Sequence, residues 1–507
     1  MLLFPKLQVS WNRASGLRAI PLLFVAATLP AQVQPASGWC SMAHCDDQMS
    51  DFVSVSSTFI YDLTHYTPAF QVTESSAGVG AGLGCVSNGT YAACSYKTST
   101  AYPSALVYYN ADGSVAWKSA PADLDSNTWG SAPLIQSDGS VVIGDDVNII
   151  KYNSDGTKAW TVSPPLGSGP PVSLVTTPAG SLVSATRLVS GSTTITSTPI
   201  AVYTATGGGG EELKASLVLA GPGSSFYETV NTPCVNNGTH PHRVYVSTQL
   251  NTDSTQGALW ALEIDTTNAS NPIMPVWSTP FTFIGPSGAS PLCIGDNIYF
   301  DGAGYGTTTQ TTVFGIEDTA AAVGDSPTLM FYQYLGTTEP ITCNFAQDPR
   351  SEGGFWHQVK DDPNIYHRDG TSGDLIEYLN VSTLLTGNGA MTPPEHTNYW
   401  MRGVFTIYGV TTEGNTPTPY MFISESDYFN TTYNNSSNTA SYLVLLNLAN
   451  ISGGGSPLVW FLNLYPDQSP DFTDTPEGAA ALVTYGANPP YIVSAASKTG
   501  AYFISMN

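Results

Sequence analysis

The chain has 507 residues, and its 15 Lys and Arg stand against 39 Asp and Glu, for a formal net charge of −24 at pH 7. Nucleic-acid binding requires a basic surface, which this balance excludes, and it disfavours adhesion to anionic membranes for the same reason. A surface with few charges and many Ser, Thr, Asn and Gly suits an acidic extracellular medium or a secretory lumen.

Residues 1–31 have the features of a secretory signal peptide. Lys6, Arg13 and Arg18 precede an apolar run at 19–31 that ends in small residues. The run is shorter than the roughly 20 apolar residues that a helix needs to span a bilayer, which favours a cleaved signal peptide over a membrane anchor. The alternative is an uncleaved membrane tether. We predict cleavage between Ala27 and Ser37, leaving 12 basic against 39 acidic residues. The product is then secreted or lumenal and free of the membrane.

Asn-x-Ser/Thr sequons provide a second signal for the secretory route. They mark polar loops available for N-glycosylation. The eight candidate sites are Asn88, Asn237, Asn268, Asn380, Asn430, Asn434, Asn435 and Asn450.

The seven cysteines are expected to pair for the most part in an oxidising compartment. Cys85 and Cys94 flank an Asn-Gly turn, which predicts a disulfide across a hairpin. Cys40 and Cys45 are close enough in sequence to pair locally. Among the remaining three (Cys234, Cys293 and Cys343) one is left over, and no spacing suggests a metal site.

The secondary-structure signal is that of strands. Short runs rich in Val, Ile, Tyr, Phe and Thr alternate with Asp-Gly, Asn-Gly, Gly-Gly and Pro-Pro turns. "VYYNADGSVAW" at 107–117 and "IKYNSDGTKAW" at 150–160 repeat one pattern 43 residues apart. An antiparallel meander that repeats at such an interval is typical of a propeller blade.

These stretches resemble the blade motif of quinoprotein-like propellers, Asp-x-x-Thr-Gly-x-x-x-Trp. "SDGTKAW" at 154–160 and "ADGSVAW" at 111–117 are shortened forms of it. The resemblance implies that the tryptophan packs between neighbouring blades. We therefore interpret Trp117, Trp160, Trp277 and Trp460 as packing residues, with a ligand-site wall as the alternative.

The predicted fold is an all-β propeller of seven or eight four-stranded blades. Eight candidate blades begin near residues 77, 129, 169, 229, 287, 340, 396 and 475, the sixth being the least regular. The last blade lacks a strand that the segment 59–72 can supply, which would close the ring and pair both edges. The expected organisation is a signal peptide at 1–31, a Cys-containing arm at 32–57 and one propeller domain at 58–507. The arm is expected on the outside, with a cap at one end of the channel as the alternative.

Familiar catalytic motifs are absent from the sequence, including HExxH, GxSxG and the P-loop. The quinoprotein resemblance suggests a quinone, yet those dehydrogenases typically carry adjacent cysteines beside it, and this chain has no Cys-Cys pair. We therefore expect neither a cofactor nor a metal.

The remaining candidates are clusters of His, Arg and aromatic residues, which could instead cover blade ends. We predict that they line the central funnel, with aromatic walls and a few directed donors. The candidate catalytic residues are His357, His396 and Arg402, and the candidate substrate-binding residues are Phe355, Trp356, Tyr399 and Trp400.

In its layout the chain resembles secreted fungal hetero-Diels–Alderases, which join a tropolone-derived quinone methide to a sesquiterpene such as humulene. The resemblance implies hydrophobic small-molecule substrates and catalysis by orientation. A glycan-binding or interaction propeller, with sugars stacked on Trp129, Tyr305 and Tyr433, is the alternative. A hydrolase or lyase would need paired acid and base groups, for which Glu228, Glu395, Asp361 and Asp362 are available.

Overall fold

A computed structural model describes most of the chain beyond the predicted signal peptide. The described residues are 33–36, 40–56, 68–73, 82–96, 105–120, 123–124, 132–145, 148–165, 171–186, 199–206, 208–286, 289–341, 344–350, 353–360, 362–388, 398–400, 405–411, 418–428, 440–463, 480–484, 491–496 and 500–505.

The first half of the propeller follows the chain in regular order. β1 (Phe52–Ser56) and β2 (Pro68–Thr73) precede the first blade. Blade 1 consists of β3 (Gly82–Ser87), β4 (Tyr91–Tyr96), β5 (Ala105–Asn110) and β6 (Val115–Lys118). Blade 2 consists of β7 (Leu134–Ile135), β8 (Val141–Gly144), β9 (Ile149–Tyr152) and β10 (Lys158–Val162). Blade 3 consists of β11 (Pro171–Thr176), β12 (Leu182–Thr186), β13 (Ile200–Ala205) and β14 (Glu211–Leu217).

Blades 4 and 5 belong to one eleven-stranded sheet, because additional strands join them at one end. The additional strands are β15 (Leu219–Ala220), β16 (Phe226–Thr229) and, after blade 4, β21 (Phe281–Pro286). Blade 4 consists of β17 (Cys234–Val235), β18 (Arg243–Leu250), β19 (Asp253–Ile264) and β20 (Ile273–Pro275). Blade 5 consists of β22 (Leu292–Ile294), β23 (Asn297–Gly304), β24 (Thr312–Glu317) and β25 (Thr328–Tyr334).

The last three blades include two short helices. Blade 6 consists of β26 (Ala346–Gln347), β27 (Phe355–Gln358), β28 (Asn364–Arg368) and β29 (Leu375–Asn380), followed by α1 (Val381–Gly387). Blade 7 consists of β31 (Thr406–Thr411), β32 (Thr418–Tyr428), β33 (Ala440–Asn447) and β34 (Leu458–Asn463), and α2 (Ala449–Gly453) precedes β34. The short strand β30 (Asn398–Trp400) also pairs with β32. Blade 8 consists of β35 (Ala481–Val483), β36 (Tyr491–Ala496), β37 (Gly500–Ser505) and β2. None of the described helices is long and apolar enough to cross a membrane.

The repeated Asp-Gly turns join strands within a blade, and the turn of blade 2 also contacts blade 1. Gly156 has φ 83°, a left-handed conformation that favours glycine, and a Cβ there would come within 2.8 Å of the Trp117 ring. The Trp117 indole also donates to the Ser154 carbonyl at 3.0 Å. The tryptophan of blade 1 therefore docks on the turn of blade 2, which confirms its predicted packing role.

Trp277 makes the corresponding contact between blades 4 and 5. It is 3% exposed, and its indole donates to Asp318 Oδ1 at 3.0 Å. Trp160 and Trp460 also pack against hydrophobic clusters that extend into the next blade.

The eighth blade closes the ring as the sequence predicted. β2 pairs antiparallel with β37 and so supplies the missing outer strand. Blade 8 in turn contacts blade 1, where the Thr484 amide donates to the Gly89 carbonyl at 2.7 Å and the rings of Tyr109 and Phe503 lie 5.7 Å apart. The described strands form an eight-bladed β-propeller.

The N-terminal arm lies inside the ring, which corrects the prediction that it lies outside. In strand openings such as "SAPLI", "NTPCV" and "ASPLCI", the amide two residues after the proline donates to an arm carbonyl: Ile135 to Ser41 at 2.8 Å, Val235 to Asp47 at 2.7 Å and Cys293 to Gln48 at 2.9 Å. Equivalent bonds join the Ser87 amide to Cys40, Gln347 to Ser50 and Ile407 to Asp51.

The physical reason for this position is hydrogen bonding. The innermost strand of each blade has one ladder edge facing the axis, and a buried amide without an acceptor is costly. The arm passes around the axis and supplies these acceptors, and β1 then pairs parallel with β31 of blade 7. Its Cys40, Met42, Cys45, Met49 and Asp51 are at most 1% exposed.

Three disulfides support this arrangement. The predicted Cys85–Cys94 bridge is present between β3 and β4, as is the local Cys40–Cys45 bridge in the arm. Cys234–Cys293 joins the innermost strands of blades 4 and 5. Cys343 lies outside the described residues.

Candidate functional site

The structure separates the predicted site residues that lie in blade 6. Phe355 and Trp356 are adjacent in β27, so their side chains point to opposite faces of the blade. Phe355 packs against Tyr299 of blade 5, with ring centroids 4.7 Å apart. Trp356 packs in a cluster with Ile407 and Val444 of blade 7. Both are fully buried between blades, so neither lines the central channel.

The predicted residues near 396–402 are only partly within the described chain. Tyr399 and Trp400 lie in β30, paired with Asp427 and Ser426 of β32. His396 and Arg402 lie outside the described residues, as do Trp129 and Tyr433. The roles assigned to these residues stay predictions.

His357 lies in the wall of a cavity on the face of blade 6 that is turned toward blade 5. The cavity has a volume of about 310 Å³. Leu335, Gly336 and Val359 contribute apolar surface, and the remaining lining residues are Thr337, Glu339, His357, Lys360, Asp362, Tyr366 and Arg368. The lining is therefore mainly polar, and converging polar groups of this kind can orient a small molecule.

The protonation of His357 follows from its contact with Arg368. Arg368 Nε donates to His357 Nε2 at 2.8 Å, so this ring nitrogen is an acceptor and the proton of the neutral ring is on Nδ1. Burial and the neighbouring Arg368 charge hold the pKa of His357 well below its usual range. Nδ1 is buried and has no hydrogen-bond partner among the described residues.

Arg368 is a buried cation: burial lowers its pKa, and the nearby carboxylate of Asp374 acts in the opposite direction. Besides His357 it donates to the Gly373 carbonyl at 2.9 Å. No carboxylate in the described part of the chain forms an ion pair with it. The positive charge next to the His357 ring favours an electron-rich oxygen in the cavity.

The other polar groups of the cavity are already paired. Tyr366 donates to Asp362 Oδ2 at 2.5 Å and stacks on the His357 ring with centroids 5.4 Å apart. Lys360 lies 3.5 Å from Glu339. These pairs hold the cavity wall in place.

Sequence reasoning identified His357 but missed Arg368, Tyr366 and Lys360 as its neighbours. These neighbours could have been found from the antiparallel register of β27 and β28. The two strands are joined by a short turn, and residues opposite each other in such a pair have their side chains on the same face. His357 is opposite Tyr366, and Phe355 is opposite Arg368.

A second polar group connects the arm to blade 5. His44 Nδ1 lies 3.1 Å from Asp51 Oδ2, and His44 Nε2 lies 3.0 Å from Ser290 Oγ. The connectivity resembles a Ser-His-Asp relay, but Ser290 is 1% exposed and Asp51 is completely buried. His44 and Asp51 have positive φ values of 55° and 47°. We interpret the group as a fastening of the arm.

Comparisons with known proteins add little to these observations. No protein-family model matches the sequence, and no curated protein matches it. Similar solved structures include the Swd1 β-propeller domain from Myceliophteria thermophila, 10% identical with a TM-score of 0.41, covering 70% of this chain and 95% of that chain. A quinohemoprotein alcohol dehydrogenase from Comamonas testosteroni is 9% identical with a TM-score of 0.39, covering 92% of this chain and 72% of that one.

A prolyl endopeptidase is also similar, with 11% identity and a TM-score of 0.43, covering 83% of this chain and 55% of that chain. Such distant similarities carry no argument about activity. The assignment of a propeller depends on the sheets and the ring contacts described above.

Proposed function

We propose that the protein is a secreted, cofactor-independent biosynthetic enzyme that binds a small oxygenated substrate in the cavity between blades 5 and 6. The reaction proposed is the hetero-Diels–Alder cycloaddition between a tropolone-derived quinone methide and a sesquiterpene such as humulene. The observation that carries the proposal is a cavity of about 310 Å³ between blades 5 and 6, in which the guanidinium of Arg368 lies beside the His357 ring.

The chemistry of this wall suits a cycloaddition. The bond-forming step needs no nucleophile or strong base, and orientation of two partners can supply roughly 7–11 kcal/mol. A hydrogen bond to the carbonyl oxygen of an oxadiene withdraws electron density and stabilises the charge that develops there. A volume of about 310 Å³ is at the lower end of the range for small-molecule sites and fits the oxygen-bearing partner.

Secretion is the second part of the proposal. Three disulfides suit an oxidising compartment. The predicted signal peptide and the sequons agree with that location.

The test is an incubation of the purified protein with an electrophilic tropolone precursor and humulene, followed by chiral analysis of the adduct. We expect one stereoisomer in excess with the unsubstituted protein and with Val323→Ala, a remote substitution at a residue that is 60% exposed. We expect His357→Ala to lower the rate at least tenfold. Only the racemic background with the unsubstituted protein would reject the proposal.

A glycan-binding propeller is the second candidate, and one observation favours it. Tyr305, predicted to stack on sugars, lies beside Tyr332 with ring centroids 5.0 Å apart, and Tyr332 lies 5.5 Å from Tyr334. Tyr332 and Tyr334 are 44% and 41% exposed on the outer strand of blade 5. A glycan array read with the unsubstituted protein and with Tyr332→Ala/Tyr334→Ala tests it: binding that the double substitution abolishes would support this candidate.

A further inference from the structure

The outermost strand of blade 6, β29, exposes apolar side chains to solvent. Leu375, Ile376 and Tyr378 are 47%, 50% and 59% exposed, and all three lie near one end of the sheet. β29 is the last strand of its sheet, so one of its backbone edges has no neighbouring strand within the described residues. An exposed apolar edge is a template for pairing with other chains, and native proteins protect such edges. A group that covers this strand would therefore stabilise the protein against self-association.

Asn380 ends the same strand and begins the sequon Asn380-Val381-Ser382. Its Oδ1 accepts a hydrogen bond from the Thr383 amide at 2.7 Å and so caps α1. Its Nδ2, the atom to which a glycan is attached, donates no hydrogen bond within the described part of the chain. A glycan would therefore use the free nitrogen and leave the oxygen to cap the helix.

The strand places the side chains of Asn380 and Tyr378 on one face. Leu379, which lies between them, packs against the hydrophobic cluster shared with blade 7, so its two neighbours in the strand lie on the opposite face. Two residues along a strand are separated by roughly 6.5–7 Å, a distance that the first sugar of a glycan can span. The Tyr378 ring lies beside Tyr366, with centroids 6.3 Å apart, and its exposed part can pack against the apolar C–H face of a sugar.

This combination of sequon and ring distinguishes Asn380 from the other described sequons. Those four have an aliphatic residue or a threonine two positions before the asparagine: Val86, Val235, Thr266 and Leu448. Asn430 and Asn435 also follow a tyrosine at that spacing, but both lie outside the described residues. Asn380 is therefore the described site at which a glycan meets an aromatic ring of its own strand.

We propose that Asn380 carries an N-linked glycan whose first N-acetylglucosamine packs on the Tyr378 ring and shields the apolar outer strand of blade 6. The oligosaccharide comes from a lipid-linked diphosphate donor. The bond from its anomeric carbon to the diphosphate oxygen breaks, the diphosphate leaves with the electron pair, a bond from that carbon to Asn380 Nδ2 forms, and the amide loses one proton. The inference rests on the secretory part of the proposed function and is independent of the proposed reaction.

The test is to produce the full chain in a eukaryotic secretory host and to measure amide hydrogen exchange in β29. We expect glycopeptide mass spectrometry to find a glycan at Asn380. Ser382→Ala, which removes the sequon but keeps the asparagine and its cap, should raise the exchange rate of β29 by about 2- to 10-fold, the effect of losing one ring contact. Ser270→Ala, which removes the sequon of Asn268, is the matched control and should leave β29 unchanged.

A double-substitution cycle assigns the effect to Tyr378. In a protein that carries Tyr378→Ala, Ser382→Ala should no longer change the exchange of β29, whereas with Tyr378→Phe, which keeps the ring, the full increase should remain. Trimming the glycan to its first sugar with an endoglycosidase should leave β29 protected.

The same increase with and without the Tyr378 ring would overturn the inference. A secreted protein with an unmodified Asn380 would also reject this inference alone. Failure of the full chain to enter the secretory route would reject both the secretory proposal and this inference.

Discussion

Asp47 Oδ1 accepts a hydrogen bond from the Thr176 amide at 2.7 Å, and the Asp47 carbonyl accepts another from Val235 at 2.7 Å. One arm residue thus joins the innermost strands of blades 3 and 4. The contact illustrates how the arm connects neighbouring blades near the axis of the ring.

Substitution of Asp47 tests the contribution of the arm to stability. We expect Asp47→Ala to lower the free energy of unfolding by about 1–3 kcal/mol, because the Thr176 amide and hydroxyl lose their acceptor. Asp47→Asn keeps an acceptor oxygen and should cost less. Urea denaturation followed by tryptophan fluorescence measures both, and equal stability of Asp47→Ala and the unsubstituted protein would show that the side chain contributes nothing.

The pH dependence of stability should report the buried Asp51. Burial raises the pKa of Asp51 to about 7, against the opposing effect of His44. The folded state therefore holds a proton that the unfolded state has already lost above about pH 4, so this contribution to stability declines as pH rises from about 4 to 7 and is constant above it.

We expect Asp51→Asn, which cannot titrate, to lose less stability than the unsubstituted protein between pH 4.5 and pH 7.5, by on the order of 1–3 kcal/mol. Denaturation at several pH values measures the difference. Parallel profiles for the two proteins would mean that Asp51 is ionised in the folded state throughout this range.

Trp277 should be the most costly of the docking tryptophans to remove. Trp277→Ala is expected to destabilise the protein by about 3–5 kcal/mol, because it empties a buried site and removes the donor to Asp318 Oδ1. Trp277→Phe should lose less, since it keeps most of the packing. Trp160→Ala serves as the comparison, because Trp160 is only partly buried. A smaller effect at Trp277 than at Trp160 in denaturant titrations would contradict the interblade role.

The described sequons differ in whether the amide nitrogen that would carry a glycan is free. Asn88 Nδ2 donates to the Gln136 carbonyl at 3.4 Å, and Asn450 Nδ2 donates to Ser456 at 2.9 Å. In Asn237, Asn268 and Asn380 the side-chain oxygen accepts a bond from a nearby amide.

We therefore expect glycans at Asn237, Asn268 and Asn380 when the protein is produced in a eukaryotic secretory host. Asn88 and Asn450 should be unmodified, because a glycan there would compete with a hydrogen bond of the fold. Glycopeptide mass spectrometry decides between the sites, with the corresponding Asn→Gln substitutions as controls. Full occupancy at Asn88 would refute this selection.

Local patterns were sufficient to predict much of the propeller. An Asp-Gly turn contains a residue in the left-handed conformation, and in the strands beside it apolar side chains alternate with polar ones. The stretch "YNSDGTKAW" therefore predicts a hairpin from local sequence alone. The Cys85–Cys94 bridge follows from the same kind of short-range geometry, since two residues on opposite sides of an Asn-Gly turn face each other. The closing strand was predictable because an incomplete last blade leaves an edge to pair.

The positions of the arm and of the cavity were decided by tertiary structure. An arm of Cys, Asp, Ser and Met has no strand pattern, and its carbonyls find partners only because inner strands distant in sequence converge on one axis. Likewise, Phe355, Trp356 and His357 are a single cluster in the sequence, but the pleat of β27 sends Trp356 toward blade 7 and His357 toward blade 5. The partner that fixes the His357 proton, Arg368, is set by strand register, which depends on how the whole blade folds.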